Sequence, residues 1–420
     1  MIKYYIKTFG CQMNVYTSSY LKSILNSKGI ESRPEDADYI IVNTCAVREK
    51  VKQKIISYLG KVDKIKKEDA KLIVIGCLSE VEKEEINKKF KPYLVGLFDK
   101  ESDLENIGKI IEGDGHKTKI NSVSRYLPVI FGCDHFCSYC IVPFARGREK
   151  SKSLEDVIKE AEEIYYEGAK EIILLGQNVN DYGKDLKIDD GFMVLLKEIS
   201  KIPFQRISFL TSHPKNFKIK WISELKDIQN LLQLFHLPVQ SGSNKVLSLM
   251  RRGYTKEIYS EIIEKIKEEF PFASITTDIL VGFPGEDESD FLETVDLIKK
   301  IEFDRSFVFI YSKRPLTKGY QYEDEVPHNE KLRRINYLIK IQDEITLKRY
   351  SEYIGKEVEV LIENIKGNSG IGKEKCGRVV VVEDVTNDDI GKIVKTKIGR
   401  VNIRELFGKK VNKVFDTKLT

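Results

Sequence analysis

A chain of 420 residues, 41% apolar and 32% charged, has the composition of a globular protein and too much sequence for one ordinary core, so two to three domains of roughly 100–200 residues are expected. No apolar run approaches the roughly 20 residues that a membrane-spanning helix needs, and a formal charge of +5 does not by itself specify a nucleic-acid partner. The 7 cysteines are an odd set whose spacing suits metal ligation rather than a disulfide framework, with Cys376 left over.

Met1-Ile2-Lys3-Tyr4 runs directly into a strand pattern with no basic-then-apolar leader, so the cytoplasm is the expected compartment. Three apolar runs then end in cysteine: Tyr4-Tyr5-Ile6-Lys7-Thr8-Phe9-Gly10-Cys11, Tyr39-Ile40-Ile41-Val42-Asn43-Thr44-Cys45 and Leu72-Ile73-Val74-Ile75-Gly76-Cys77. They recur at roughly the 30-residue spacing of a βαβ unit, with helical patterns at 17–28 and 48–62 between them. Such alternation predicts a parallel sheet covered on both faces, whose strand ends share the edge where open α/β sheets bind ligands. Cys11, Cys45 and Cys77 are therefore expected to converge on one three-thiolate site; the alternative is three separate core thiols. Gly10 and Gly76 allow close backbone approach there.

After a polar connection at 113–124, strand patterns at 127–131, 171–175, 206–210, 234–237, 275–281 and 306–311 alternate with helical patterns at 154–166, 192–200, 220–225, 257–269 and 290–301. This predicts an α/β partial (β/α)6 barrel with its functional loops after the strand ends. The first such loop, Gly132-Cys133-Asp134-His135-Phe136-Cys137-Ser138-Tyr139-Cys140, places three thiols at C-x3-C-x2-C spacing. Three thiolates can hold three irons of a cubane and leave the fourth open to a ligand. The other loops, with Gln177, Asn178, Ser212, Gln240 and Gly282-Phe283-Pro284-Gly285, offer amides, hydroxyls and backbone to a small polar ligand. Taken singly each is an ordinary capped turn, Ser243 and Thr255 read as helix caps, and His135, His213 and His236 are assigned to no metal.

Beyond Tyr350 short alternating runs at 358–362, 378–382 and 393–398, broken by turn residues, predict a small antiparallel β-barrel. From Gly391 onward Lys392, Lys395, Lys397, Arg400, Arg404, Lys409, Lys410, Lys413 and Lys418 face only Glu405 and Asp416. That balance suits RNA phosphates, the bland alternative being a solvated lysine face.

With one cysteine triplet after the first barrel strand and another in a preceding α/β domain, the chain resembles the radical S-adenosylmethionine methylthiotransferases over essentially its whole length. Further matching segments are Asn43-Thr44-Cys45-Ala46-Val47-Arg48-Glu49, Arg146-Gly147-Arg148-Glu149, Gly176-Gln177-Asn178-Val179-Asn180, Thr211-Ser212-His213-Pro214 and His236-Leu237-Pro238-Val239-Gln240-Ser241-Gly242-Ser243. These are most similar to the tRNA branch that adds a methylthio group to carbon 2 of N6-isopentenyladenosine beside the anticodon. Sibling branches act on N6-threonylcarbamoyladenosine in tRNA and on an aspartate of a small-subunit ribosomal protein. Thr17, where Asp is common, and Arg251, where Asn is common, depart from the family pattern, as does Ser312-Lys313-Arg314-Pro315-Leu316-Thr317.

The resemblance implies an N-terminal methylthiotransferase domain at 1–115, a radical core at 119–349 and a TRAM RNA-binding domain at 351–415. It implies two [4Fe–4S] clusters, one on Cys133, Cys137 and Cys140 that binds S-adenosylmethionine and yields a 5′-deoxyadenosyl radical, and one on Cys11, Cys45 and Cys77 that carries the transferred sulfur. Two S-adenosylmethionine molecules are consumed, one as methyl donor and one as radical source. Tyr139 would pack on the adenine, and Gln177, Asn178, Ser212 and Gln240 would contact the ribose and methionine parts. No side chain is implied as a conventional acid or base. Implied partners are the tRNA anticodon stem-loop, a low-potential electron donor such as flavodoxin or ferredoxin, and a sulfur source, with no membrane and a monomeric protein. The competing class is a non-catalytic RNA-binding protein with structural zinc, which ordinarily requires closed four-ligand sites rather than trios.

Overall fold

A computed structural model describes residues 1–27, 29–46, 49–98, 100–112, 118–120, 122–323 and 326–411, without the side chains of 49, 50 and 112. Val47, Arg48, residues 113–117 and 121 of the 113–124 connection, and Lys413, Asp416 and Lys418 of the basic tail lie outside the described residues.

The N-terminal runs form one parallel sheet in the order Gly29–Glu31, Ile2–Thr8, Tyr39–Thr44, Lys71–Gly76, Leu94–Gly96. Its central strands read as unbroken apolar runs because both faces are buried. Ile40, Val42, Leu72 and Val74 pack on Ile55, Leu59, Ile86 and Phe90 from helices Glu49–Ile65 and Lys83–Phe90. Ile41, Ile73 and Ile75 pack on Leu21, Leu25, Leu104 and Ile107 from Gln12–Leu25 and Glu101–Glu112. The first helix begins five residues earlier than the pattern at 17–28 suggests, with Cys11 at its N-cap.

Six parallel strands follow in two hydrogen-bonded triplets, Arg206–Phe209 with Glu171–Leu175 and Ser124–Pro128, and Leu234–His236 with Ser274–Val281 and Arg305–Ile310. Ile207 joins the triplets, donating its N–H to Asn230 O at 2.9 Å and accepting from Leu232 N–H at 2.8 Å. The result is the open barrel the alternation implies. Its first strand ends at Pro128 rather than continuing through 131; Ile130–Phe131 instead pairs antiparallel with Lys150–Ser151. That short ribbon brackets the cysteine loop at both ends.

Helix His328–Ser351, which strand-seeking patterns missed, leads into a closed barrel of Glu357–Lys366, Ser369–Glu374, Val379–Glu383, Leu406–Lys410 and Ile393–Val401. Its pairings are antiparallel except at closure, where Leu406–Lys410 runs parallel to Val379–Glu383. Ser369–Glu374 escaped the sequence reading because its glycines read as a turn. No helix among the described residues is long and apolar enough to cross a membrane.

The first sheet's helices meet the barrel through a half-buried polar cluster. Tyr16 Oη donates to Glu101 Oε1 at 2.7 Å, and Lys152 Nζ bridges Glu101 at 2.9 Å and Glu160 at 2.6 Å. Burial and the neighbouring Glu101 charge raise the Glu160 carboxyl from an ordinary 4.5 to about 7, with Lys152 opposing. The folded protein therefore binds this proton more tightly than the unfolded chain, and stability falls as pH rises from near 4.5 through about 7. Glu160→Gln should flatten the pH dependence of the melting temperature between about pH 5 and 7, measured by circular dichroism, with the largest gain relative to the parent above pH 7.

Candidate functional site

Each N-terminal cysteine sits where a strand of the parallel sheet turns into the next segment: Cys11 caps the first helix, Cys45 follows Thr44, and Cys77 opens the helix Cys77–Val81. Two glycines let these turns crowd together. At Gly10 (φ +120°) a Cβ would lie 2.8 Å from Cys45 Cβ, and at Gly76 (φ +97°) 2.4 Å from Thr44 O. Asn14, almost wholly buried, ties the edge: its Nδ2 donates to Phe9 O at 2.7 Å and Thr44 O at 2.9 Å, and its Oδ1 lies 3.9 Å from Cys11 Sγ. The three thiols thus share one sheet edge, with Cys11 exposed and the other two buried.

Cys133, Cys137 and Cys140 occupy the loop that leaves the first barrel strand, the first two buried and the third half-buried. The loop is pinned from the opposite wall, because Ser138 donates its N–H to Met250 O at 3.0 Å and its Oγ to Leu249 O at 2.8 Å. Among the described residues two side-chain N–H donors point at the sulfurs, beside the backbone N–H groups of His135 toward Cys133 and Val142 toward Cys140. Asn178 Nδ2 donates to Cys133 Sγ at 3.2 Å, and Arg252 Nη1 to Cys137 Sγ at 3.3 Å. Burial pushes the Cys133 and Cys140 thiols up to about 12, so metal must displace their protons on binding. Thiolates supplied with N–H donors match the ligand set of an iron–sulfur cluster.

The residues expected around the ligand are near this loop, in differing circumstances. Tyr139 is half-buried against Val246, Met250, Phe283 and Tyr311, its hydroxyl accepting from Arg252 Nη1 at 3.3 Å. Asn178 spends one amide hydrogen on the Cys133 sulfur, while Gln177 is half-buried beside it. Ser212 is fully buried with no partner for its hydroxyl among the described residues, an orphan group that a bound polar ligand would satisfy. Gln240 takes a left-handed backbone (φ +73°) and bridges to the neighbouring strand, donating to Asp278 O at 2.8 Å and accepting from Leu280 N–H at 2.9 Å. Ser243 and Thr255 do cap helices, as their sequence context suggests.

The histidines form a separate network. His135 stacks on His213 at 3.8 Å and meets Asp181 at 2.7 Å; Asp181 also accepts from Asn216 and Lys184. With Glu149, His135 and Asp181 are grouped closely enough for a cation, but the Lys184 ammonium already supplies positive charge there. His236 pairs with Thr276 and Asp278.

Sequence reasoning missed the arginines. Arg252 reaches Cys137 from the Arg251-Arg252-Gly253-Tyr254 turn, and Arg146, only six positions beyond Cys140, donates from Nε to Cys77 Sγ of the other trio at 3.1 Å. Arg146 stands in the quoted Arg146-Gly147-Arg148-Glu149 segment, but no spacing rule shows that its side chain crosses to another domain.

Residues 127–298 match the model of the Radical SAM superfamily, 3–96 that of Uncharacterized protein family UPF0004, and 351–411 that of the TRAM domain. Among solved structures, the radical S-adenosylmethionine methyltransferase TsrM from Kitasatospora setae, with cobalamin and a [4Fe–4S] cluster bound, shares the fold at a TM-score of 0.56 and 14% identity, over 76% of this chain and 77% of that one. Fold and cysteine loop together define a radical S-adenosylmethionine protein, a class that implies S-adenosylmethionine and [4Fe–4S] chemistry.

The curated tRNA-2-methylthio-N(6)-dimethylallyladenosine synthase of Thermotoga petrophila is 39% identical over 98% of this chain and 97% of its own length, and that of Bacillus subtilis is 39% identical over 99% and 87%. The chain belongs to this family of tRNA-2-methylthio-N(6)-dimethylallyladenosine synthases.

Proposed function

We propose that this protein adds a methylthio group to carbon 2 of N6-isopentenyladenosine, also called N6-dimethylallyladenosine, next to the anticodon of tRNA. The observation that carries the reading is full-length likeness to synthases of that name in a chain that presents two cysteine trios, joined by Arg146. Cys133, Cys137 and Cys140 hold one [4Fe–4S] cluster and Cys11, Cys45 and Cys77 a second. Bound together, the clusters and S-adenosylmethionine supply the radical, the methyl group and the sulfur that side chains lack.

The chain's own part is to hold and insulate. Asn178 and Arg252 orient the barrel thiolates, Ser212 and Gln240 offer a hydroxyl and an amide to the ligand, Gln177 reaches its polar end, and Tyr139 forms an apolar wall for the adenine. The division of labour follows segments 1–115, 119–349 and 351–415. On the last, exposed Lys395, Lys397 and Lys409 stand opposite Glu359, Glu357 and Glu383 on neighbouring strands, so contact with the phosphates of the anticodon stem is assigned to the domain as a whole and not to this mixed-charge face. We further propose a cytoplasmic monomer that draws electrons from a flavodoxin- or ferredoxin-like donor and sulfur from a separate source.

The test is mass spectrometry of tRNA nucleosides from a deletion strain, with and without the gene restored. Loss of 2-methylthio-N6-isopentenyladenosine and its return on complementation are expected. Loss of the threonylcarbamoyl analogue instead would assign the sibling substrate, and purified protein that stays colourless with zinc after anaerobic reconstitution would remove the enzyme reading altogether.

A further inference from the structure

We infer that Arg146 is a positioning residue through which the radical barrel holds and tunes the N-terminal cysteine trio, an inference that rests on the two-cluster reading above. Arg146 ends the short helix Val142–Arg146, directly after the barrel's own cysteines, and only 9% of it is exposed. Its Nε donates to Cys77 Sγ at 3.1 Å, and its Nη2 donates to Asn14 Oδ1 at 3.1 Å. Through Asn14 Nδ2 the same contact reaches Phe9 O and Thr44 O, the backbone just before Cys11 and Cys45. One guanidinium from the barrel therefore touches one trio sulfur and, through a single amide, fixes the loops that carry the other two.

The packing around it is continuous. Ile141 and Ala145 share a core with Ala46, Cys77 and Leu78, so the helix bearing Arg146 is seated against the N-terminal site rather than grazing it. A metal-bound thiolate is a stronger acceptor for the guanidinium N–H than a protonated thiol. Hydrogen bonds to cluster sulfurs raise the reduction potential, and groups that orient ligands also govern metal retention. Because Arg146 and Cys140 share one loop, a shift of the barrel's cysteine loop is transmitted directly to a ligand of the other site.

The test uses the full chain with Cys133, Cys137 and Cys140 replaced by Ala, so that only the N-terminal trio can carry a cluster, and compares Arg146 with Arg146→Lys and Arg146→Gln in a potentiometric titration followed by electron paramagnetic resonance. With Arg146→Gln, the ratio of reduced to oxidised cluster at the parent's midpoint should fall about tenfold, a negative shift of about 59 mV for one electron. Arg146→Lys, which keeps the charge but loses the planar fork, should lie between. A midpoint in Arg146→Gln equal to the parent's, with iron content unchanged, overturns the inference. If Arg146→Gln holds no iron, a parental midpoint in Arg146→Lys overturns it equally. A parent that shows no iron–sulfur signal at all would instead remove the two-cluster reading on which the inference stands.

Discussion

Cys45→Ala should leave reductive cleavage of S-adenosylmethionine close to parental while methylthio product falls below detection. Cys45 belongs to the sheet edge with Cys11 and Cys77, where its Cβ would meet any side chain placed at Gly10, whereas the barrel trio is built by its own loop and pinned by Met250, Leu249, Asn178 and Arg252. Losing one of three thiolates at the first site removes a ligand without touching the second. Anaerobically reconstituted parent should hold about eight irons and the variant about four. Cys137→Ala should give the converse: no cleavage, with the N-terminal iron retained. 5′-Deoxyadenosine and 2-methylthio nucleoside, quantified in the same reaction, separate the two sites. Normal methylthio product from Cys45→Ala would show that the N-terminal trio is not the sulfur-handling site.

The split between these sites was legible in the chain because a thiol at the end of a parallel strand has few places to go. The alternation of Ile40 and Val42 against Ile41 announces a sheet buried on both faces, and the equivalent positions of Cys11, Cys45 and Cys77 then follow from topology. Side-chain reach was not legible. Asn178, read as a ligand contact, directs its amide at the Cys133 sulfur, and Arg146, at the end of a five-residue helix, and Arg252, on a turn, have rotamers that no periodicity fixes. The C-terminal barrel shows the same limit. Its alternating runs were visible, whereas Ser369–Glu374, with Gly370 and Gly372, escaped because a glycine strand packed against Ile362 and Leu361 looks like a turn until its partner strands are in place. Arg378, at the head of the strand pattern 378–382, points inward.

That inward turn sets the second large effect: Asp304→Ala should undock the C-terminal barrel. Arg378 donates to Asp304 Oδ1 from Nε at 2.8 Å and from Nη2 at 2.6 Å, and to Tyr353 Oη from Nη1 at 2.6 Å. Asp304 also takes Arg349 at 3.1 Å, and both side chains of the central pair are 2% exposed or less. Removing the carboxylate leaves two guanidinium groups at a buried seam, with Glu374 3.5 Å from Arg378 as a weaker substitute, and breaking such a pair costs about 3–5 kcal/mol. The exposed Lys409–Glu383 pair, by contrast, is worth about 0–1 kcal/mol. Arg206, donating to the Lys373, Glu374 and Glu359 carbonyls, holds the other side of the seam, so partial undocking rather than global unfolding is expected. In Asp304→Ala a low-temperature transition should separate from the main melt, limited proteolysis should begin near the 351–357 junction, and tRNA affinity should fall while S-adenosylmethionine cleavage persists. Asp304→Asn keeps the shape and one acceptor and should lose less. If both variants melt in one transition at the parental temperature, this ion pair does not hold the barrel, and its docking rests on Arg206 and the surrounding apolar contacts.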